Sequence, residues 1–373
     1  MVYLDSAAST PVDVRVWEEI LKYKDIYGNP SSIHKFGQEA GKLIENSRQI
    51  IADYIKCKPN EIIFTASGTE ANNLALIGYA KANKNKGKHI ISCVTEHASV
   101  LKPLESLYDC GYDVTLLHVD EYGYIDLNDL ERAVRRDTIL VSIMQANNEI
   151  STIMPIRQIG EICKYHNIMF HSDCVAGLPH IPIDVNELNL DMASFSGHKI
   201  HSVKGCGVLY ARDSINIQPI ITGGPQEYNL RAGTENVPGI IGIGKAVELL
   251  QNLHKLDLLP LKTKLINGIK ENISGVKFNG DIENGLPSII NFSITGIDGY
   301  SLVTALSERG IYVSQGSACN SVSLAGSHVV KAISNTKTAN EAVRVSCGRY
   351  TTLEDIEYFL KILPQCVADL KRF

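Results

Sequence analysis

Three features of the sequence predict an α/β fold with a mostly parallel sheet, followed by a smaller α+β unit. From about residue 60, short β-like runs alternate with helix-like ones. The connections between them are short, which sets a mostly parallel sheet under helices on both faces. A long helical stretch, from about Val237 to Asn272, separates this part from a second group of strands and a final helix.

The elements follow in order. "EIIFTA" reads as a strand and "GTEANNLALIGYAKA" as a helix; "HIISCV" and "ASVLKPLESLYDC" repeat the pair, and "DVTLLHV" leads to "DLNDLERAVRR". "TILVSIM" precedes the helix "PIRQIGEICKYH", opened by Pro155, and the strands "NIMFHSD", "DMASFS" and "GVLYA" follow. In such sheets ligands sit at the carboxyl ends of strands, where Thr65, Asp173 and Ser196 fall. The stretch Val237 to Asn272 has no strand to pair with and reads as a connector between domains. Beyond it come "VKFNG", "LPSIINFSI", the helix "DGYSLVTALSERG", the Gly/Ser-rich loop "SQGSACNSVSLAGS", the strand "AVRVSCG" and the helix "TLEDIEYFLKILPQCVADL".

With 373 residues, 44% hydrophobic and 21% charged, the chain is long enough for a large core and more than one domain. Its net charge is -5, and the lysine-dotted "KANKNKGK" alternates with Asn and Gly as a solvated loop does, so no nucleic-acid partner is expected. The first residues lack a basic n-region and an apolar h-region, and no apolar run nears the ~18 residues that span a bilayer. No membrane partner and a cytoplasmic location are therefore expected. The nine cysteines are scattered, with no C-x-x-C pair, which suggests neither a disulfide framework nor a zinc site.

Three motifs carry chemistry. "FTASGTEANNLAL" is a strand, then Ser-Gly-Thr, then a helix start whose N–H groups and dipole suit an anion, although a Ser or Thr there is most often only a cap. No Gly-Lys-Ser/Thr follows, so it is not a Walker A loop. In "SFSGHKIHSVKG" a lysine, Lys199, follows a core strand closely; an ammonium there needs a partner or works as a neutral amine, as Schiff-base lysines do. In "FHSDCVAG" a strand ends on Asp173, which is either a cap or the acid that pairs with the ring nitrogen of pyridoxal 5'-phosphate (PLP). Phosphate cradle, lysine and acid on one parallel sheet together point to a PLP site far more strongly than any one does.

"TEHASV", "NNEIS", "HSDCVAG", "SGHKIHSVKG", "RAGTENVPGIIGIGKA", "GSACNSVSL" and "VRVSCGRYTTLEDI" resemble, in order, the motifs of NifS/IscS-type cysteine desulfurases, class-V members of the fold-type I PLP enzymes. The resemblance runs from "YLDSAASTPVD" to the last helix. It implies a seven-stranded, mostly parallel large domain over residues 13–255, and a smaller α+β domain made of 1–12 and 256–373. By similarity Lys199 would carry PLP as a Schiff base, Asp173 would face the ring nitrogen, and His97 would stack on the ring as an acid or base. Gly68, Thr69, Ser196 and His198 would bind the phosphate, joined by Thr234 from the other subunit of a homodimer. Asn148 would contact the substrate amino acid or the ring hydroxyl, and Arg344 would grip the substrate carboxylate, a task that suits its bidentate fork.

Cys319, among small residues in "GSACNS", would be the mobile nucleophile. The resemblance implies that Lys199 removes the Cα proton of L-cysteine, that the Cys319 thiolate takes the sulfur as a persulfide, and that alanine leaves. A sulfur-acceptor protein, such as an iron–sulfur scaffold or a thiolation enzyme, would receive the sulfur. Four departures surround the site. The family's Asp-x-x-Gln, whose glutamine donates to the PLP phenolic oxygen, reads Asp173-Cys174-Val175-Ala176 here; Gly-Pro after the lysine is lost in His201-Ser202-Val203; a glycine is replaced by Ser151; and Pro225 enters a Gly-rich stretch. They leave two other readings beside the desulfurase: a lyase for selenocysteine or another β-substituted amino acid, and a weakly active PLP-binding partner in a sulfur-transfer complex.

Overall fold

The computed structural model describes residues 1–253, 257–316 and 326–371, so the predicted nucleophile Cys319 lies outside the described residues. In chain order the strands are β1 (Val2–Tyr3), β2 (Ile62–Thr65), β3 (His89–Cys93), β4 (Asp113–Leu117), β5 (Thr138–Ser142), β6 (Met169–Asp173), β7 (Met192–Ser196) and β8 (Gly207–Ala211), then β9 (Val276–Asn279), β10 (Ile289–Ile294), β11 (Ile311–Tyr312) and β12 (Ala342–Ser346).

The main sheet has seven strands in the order β2-β8-β7-β6-β5-β3-β4. All run the same way except β8, which is antiparallel to both its neighbours. The inner strands are buried along their length, save Met169 at the start of β6, because helices cover both faces, while β4 at the edge is partly exposed. Side chains alternate between the two cores: Ile62 and Phe64 enter one, and Ile63 the other. One row at the carboxyl end reads Thr65, Gly207, Ser196 across three adjacent strands. This sheet agrees with the α/β fold expected from the sequence.

A three-stranded antiparallel sheet, β12-β10-β9, and the parallel pair β1-β11 hold a separate core with the C-terminal helix Leu353–Leu370. The N-terminal residues join this unit, since Asp5 bridges to Ser346 and Ser346 N–H donates to Leu4 O (2.8 Å). The helical stretch expected as one connector is instead two helices, Val237–Leu253 and Leu259–Asn272. The first packs on the helices Val14–Lys22 and Lys35–Ile55, and the second on the C-terminal helix. The second start is marked by Asp257, which accepts the Leu259 N–H (3.0 Å), and by Pro260 in the first turn. Apolar residues continue across the junction and hide it from a reading of periodicity. No helix among the described residues is long and apolar enough to cross a membrane.

Candidate active site

A cavity of about 150 Å³ opens at the carboxyl ends of β2, β6 and β7. Ten predicted residues line it: Gly68, Thr69, His97, Asn148, Asp173, Ala176, Ser196, His198, Lys199 and Arg344. Lys199 ends a single 3₁₀ turn, Gly197–Lys199, directly after β7. Its half-buried ammonium donates to Ala8 O (3.0 Å) and to Ala7 O, so the N-terminal segment holds the lysine at the mouth of the cavity.

Asp173 is 7% exposed and ends β6. Its carboxylate accepts from Asn72 Nδ2 (2.7 Å) and from its own loop at Val175 N–H (3.0 Å), the cap contact that the plain reading of a strand-end acid expects. No ion pair reaches it among the described residues. A buried carboxylate with only neutral donors favours a cationic partner from outside the chain, which a pyridinium N–H supplies.

Asn72 extends the network. It also donates to Ser99 Oγ (2.8 Å), and Ser99 N–H and Oγ both meet His97 Nδ1 (3.1 and 2.8 Å). Because Nδ1 accepts the backbone N–H, the hydrogen-bond pattern assigns the ring proton of neutral His97 to Nε2. Asn72 Oδ1 is buried without a hydrogen-bond partner among the described residues. Neither Asn72 nor Ser99 was predicted from the sequence. Asn72 lies one helical turn after Thr69, so the helical period held a signal for it.

At the opposite end, Ser67 caps the helix that begins at Gly68 by accepting Glu70 N–H (3.1 Å). This helix passes through a π-helical segment, Leu74–Gly78, into Tyr79–Ala82. A Cβ on Gly68 would come within 2.9 Å of Val175 Cγ2, and one on Gly207 within 2.4 Å of Ser67 C. Both positions need glycine for the close approach that forms the turn. Ser196, His198 and Thr69 add polar groups there. Burial, and then the charges of Lys199 and Lys204, push the His198 pKa down to about 4. The donors at this end and the acid at the other, met only by neutral donors among the described residues, fit PLP.

Arg344, on β12, is 1% exposed. Nη2 donates to Asp5 Oδ1 (2.7 Å) and Nη1 to Asn148 O (2.9 Å), while Nε is a buried donor without a partner among the described residues. Thr234 is exposed and lines neither this cavity nor its neighbour.

The departures now have positions. Ala176 borders both the main cavity and a side chamber of about 60 Å³, which also share Ala7, Asn148, Val175 and Lys199. Cys174 is fully buried in the core and lines neither space, whereas His201 lines the chamber. Ser151 and His201 both take positive φ (66°), where a β-carbon is strained. Pro225 O accepts Asn229 N–H (3.2 Å) and starts a left-handed turn, Glu227 to Asn229. Glu227 is pinned there by Arg48 (2.8 and 3.0 Å) and by Phe64 N–H (2.7 Å).

Comparison with known proteins agrees with this geometry. Residues 2–359 match the family described as "Aminotransferase class-V". "Cysteine desulfurase IscS" of Dictyoglomus turgidum is 47% identical over 99% of this chain and 95% of its own. A solved "NIFS-LIKE PROTEIN" superposes with a TM-score of 0.93 at 37% identity, covering 99% of this chain and all of the other. "SspA in complex with cysteine" gives a TM-score of 0.85 at 36% identity, over 94% of this chain and all of that one. With the sheet, the cavity and these relatives in agreement, the chain belongs to the class-V aminotransferase family, among the NifS/IscS-type cysteine desulfurases.

Proposed function

We propose that this cysteine desulfurase converts L-cysteine to L-alanine with PLP held between Asp173 and Lys199, and passes the sulfur, as a persulfide on Cys319, to an acceptor protein. The observation that carries this reading is the buried Asp173 carboxylate, without a cationic partner among the described residues, in one cavity with Lys199 and Arg344. Gly68, Thr69, Ser196 and His198 would hold the phosphate, with Thr234 of a partner subunit completing it in a homodimer. When bound, PLP supplies an electron sink for the charge that develops at the substrate Cα. Lys199, once released from the Ala7 and Ala8 carbonyls, is placed to take the Cα proton. His97, fixed by Ser99, would lie against the ring. Arg344 would receive the substrate carboxylate, with Asn148 beside it.

An iron–sulfur scaffold or a thiolation enzyme is the acceptor class this reading implies. The eight cysteines among the described residues are free thiols, which accords with a reducing compartment such as the cytoplasm. We divide the chain into a large domain of 13–255 and a small one of 1–12 with 256–373, supported by the separate cores on the two sets of sheets.

The side chamber beside Ala176 favours a second reading, a lyase for β-substituted amino acids other than cysteine, because the short Ala176 side chain borders both that chamber and the main cavity. The missing donor to the phenolic oxygen is worth about 1.5–3 kcal/mol. Alanine and sulfide formation from L-cysteine tests both readings. Lys199→Ala is expected to abolish product and the visible band of lysine-bound PLP. Cys319→Ser is expected to cut sulfide release by orders of magnitude, and equal alanine production in that variant would remove the persulfide role. Ala176→Gln is expected to raise turnover about tenfold and to lower the pH midpoint of the visible band.

A further inference from the structure

The N-terminal segment from Asp5 to Thr10 touches Lys199, His198 and Arg344, although none of its residues belongs to the reaction assigned above. Ala7 and Ala8 hold Lys199 through their carbonyls, Ser9 Oγ lies 3.3 Å from His198 Nδ1, and Thr10 binds His198 O (2.9 Å). Asp5 meets Arg344 in the shortest of the contacts that guanidinium makes.

We propose that Asp5 is a positioning residue that orients Arg344 to receive the substrate carboxylate. The inference rests on the reading of Arg344 as the carboxylate site.

A guanidinium only 1% exposed carries a buried charge that is costly without a counter-charge, and Asp5 is its one anionic partner among the described residues. The pair is built into the fold. Asp5 bridges to Ser346, two residues from Arg344 on the same strand, and the Tyr3 hydroxyl donates to Asp5 O (3.1 Å). Ala7 N–H donates to Ser346 Oγ (2.9 Å), so the backbone on both sides of Asp5 is tied to β12 or to its neighbour. Asp5 and Arg344 therefore stay together as cross-strand neighbours, and an arriving carboxylate does not have to displace Asp5.

Two fixed points define the guanidinium plane: Nη2 on Asp5 Oδ1 and Nη1 on Asn148 O. Nε is left as a buried donor without a partner, on a side chain that lines the cavity. A donor in that state costs free energy until a ligand meets it, and the Nε edge of a guanidinium matches a carboxylate. Without the Asp5 charge, Arg344 loses one of the two anchors that keep this edge in place.

The test uses the PLP-loaded enzyme and the variants Asp5→Asn, Asp5→Glu and Arg344→Gln. Two quantities are read: the kcat and KM for L-cysteine, and the calorimetric affinity for 3-mercaptopropionate, a carboxylate without the amine. Asp5→Asn is expected to raise KM and weaken 3-mercaptopropionate binding, each about tenfold, with kcat within about twofold and PLP content unchanged. Asp5→Glu should recover part of the loss. In an Arg344→Gln background, Asp5→Asn should add nothing.

If Arg344→Gln raises KM and Asp5→Asn does not, the positioning role is overturned and the carboxylate site stands. A lower KM in Asp5→Asn also overturns it, since Asp5 would then compete with substrate. An unchanged KM in Arg344→Gln overturns the carboxylate site itself. Should Asp5→Asn fail to fold, Asp5→Glu carries the test: it keeps the charge and displaces the oxygen, and an unchanged KM there is the overturning result.

Discussion

Asn72 shows how much of this site depends on a residue that performs no chemistry. Its amide joins the Asp173 carboxylate to Ser99, and through Ser99 to His97, so one side chain sets the positions of two proposed cofactor contacts. Asn72→Ala would remove a hydrogen bond to a charged acceptor in a buried setting, about 1.5–3 kcal/mol. PLP affinity is expected to fall at least tenfold, measured by cofactor release on dialysis or by spectral titration of apoenzyme. Activity at saturating PLP should fall less than affinity does. The sequence displayed Lys199, Asp173 and Arg344 openly, because each stands in a motif with a chemical demand. Asn72 stood in "EANN" with nothing to separate it from its neighbour Asn73, which instead bonds back to Thr69 O (2.9 Å) on the exposed side.

At the scale of the elements, the main sheet holds two histidines that act as cross-strand ties. His171 on β6 bridges Ser142 on β5 (2.9 Å) and Ser194 on β7 (3.0 Å), and His89 on β3 bridges Thr138 (2.7 Å) and Thr115 (2.8 Å). Complete burial pushes the His171 pKa down to about 3, from an ordinary value of 6.5. The folded protein thus keeps the ring neutral, while the unfolded chain binds a proton as pH falls below 6.5. Stability from this group is fully present above about pH 6.5 and is lost on acidification toward pH 3, at about 1.4 kcal/mol per unit. Between about pH 6.5 and 5 the loss is about 2 kcal/mol. His171→Gln is expected to flatten the difference in unfolding free energy, read from urea denaturation, between pH 7 and pH 5 by about that amount. His198, also depressed, is present in both proteins and drops out of the comparison. The strands themselves were legible as apolar runs, but the pairing of "FHSD" with serines two strands apart was not, since it depends on register.

The whole molecule adds what neither residue nor element contains. Thr234 follows the Arg48-anchored turn, is exposed, and lines neither the main cavity nor the side chamber, which is the arrangement expected if it serves a partner's phosphate pocket. Subunit mixing tests this proposal. Lys199→Ala homodimers should form no lysine adduct with PLP, and Thr234→Ala homodimers should form it poorly. Mixed dimers contain one site with an intact Lys199 and an intact Thr234 from the other chain, so each mixed dimer is expected to show up to half of the visible band of the unmutated dimer. No recovery in verified mixed dimers would put Thr234 outside the partner's pocket. Arg48→Ala should also unsettle the turn, because Glu227 would be left as a buried, unpaired charge; a loss of about 3–5 kcal/mol is expected in urea unfolding.

The sequence by itself determined the α/β class, the carboxyl-end location of the site, the family and the residue types of the chemistry. These are local properties: alternation, caps and motifs are written in neighbouring residues. Tertiary structure alone decided that Asp5 meets Arg344 across 339 positions, that Asn72 meets Asp173 across 101, and that Ala176 borders a side chamber. The physical reason is that burial and register, not sequence distance, choose the partner of a polar group, and a polar group removed from water must take whichever partner the fold brings to it.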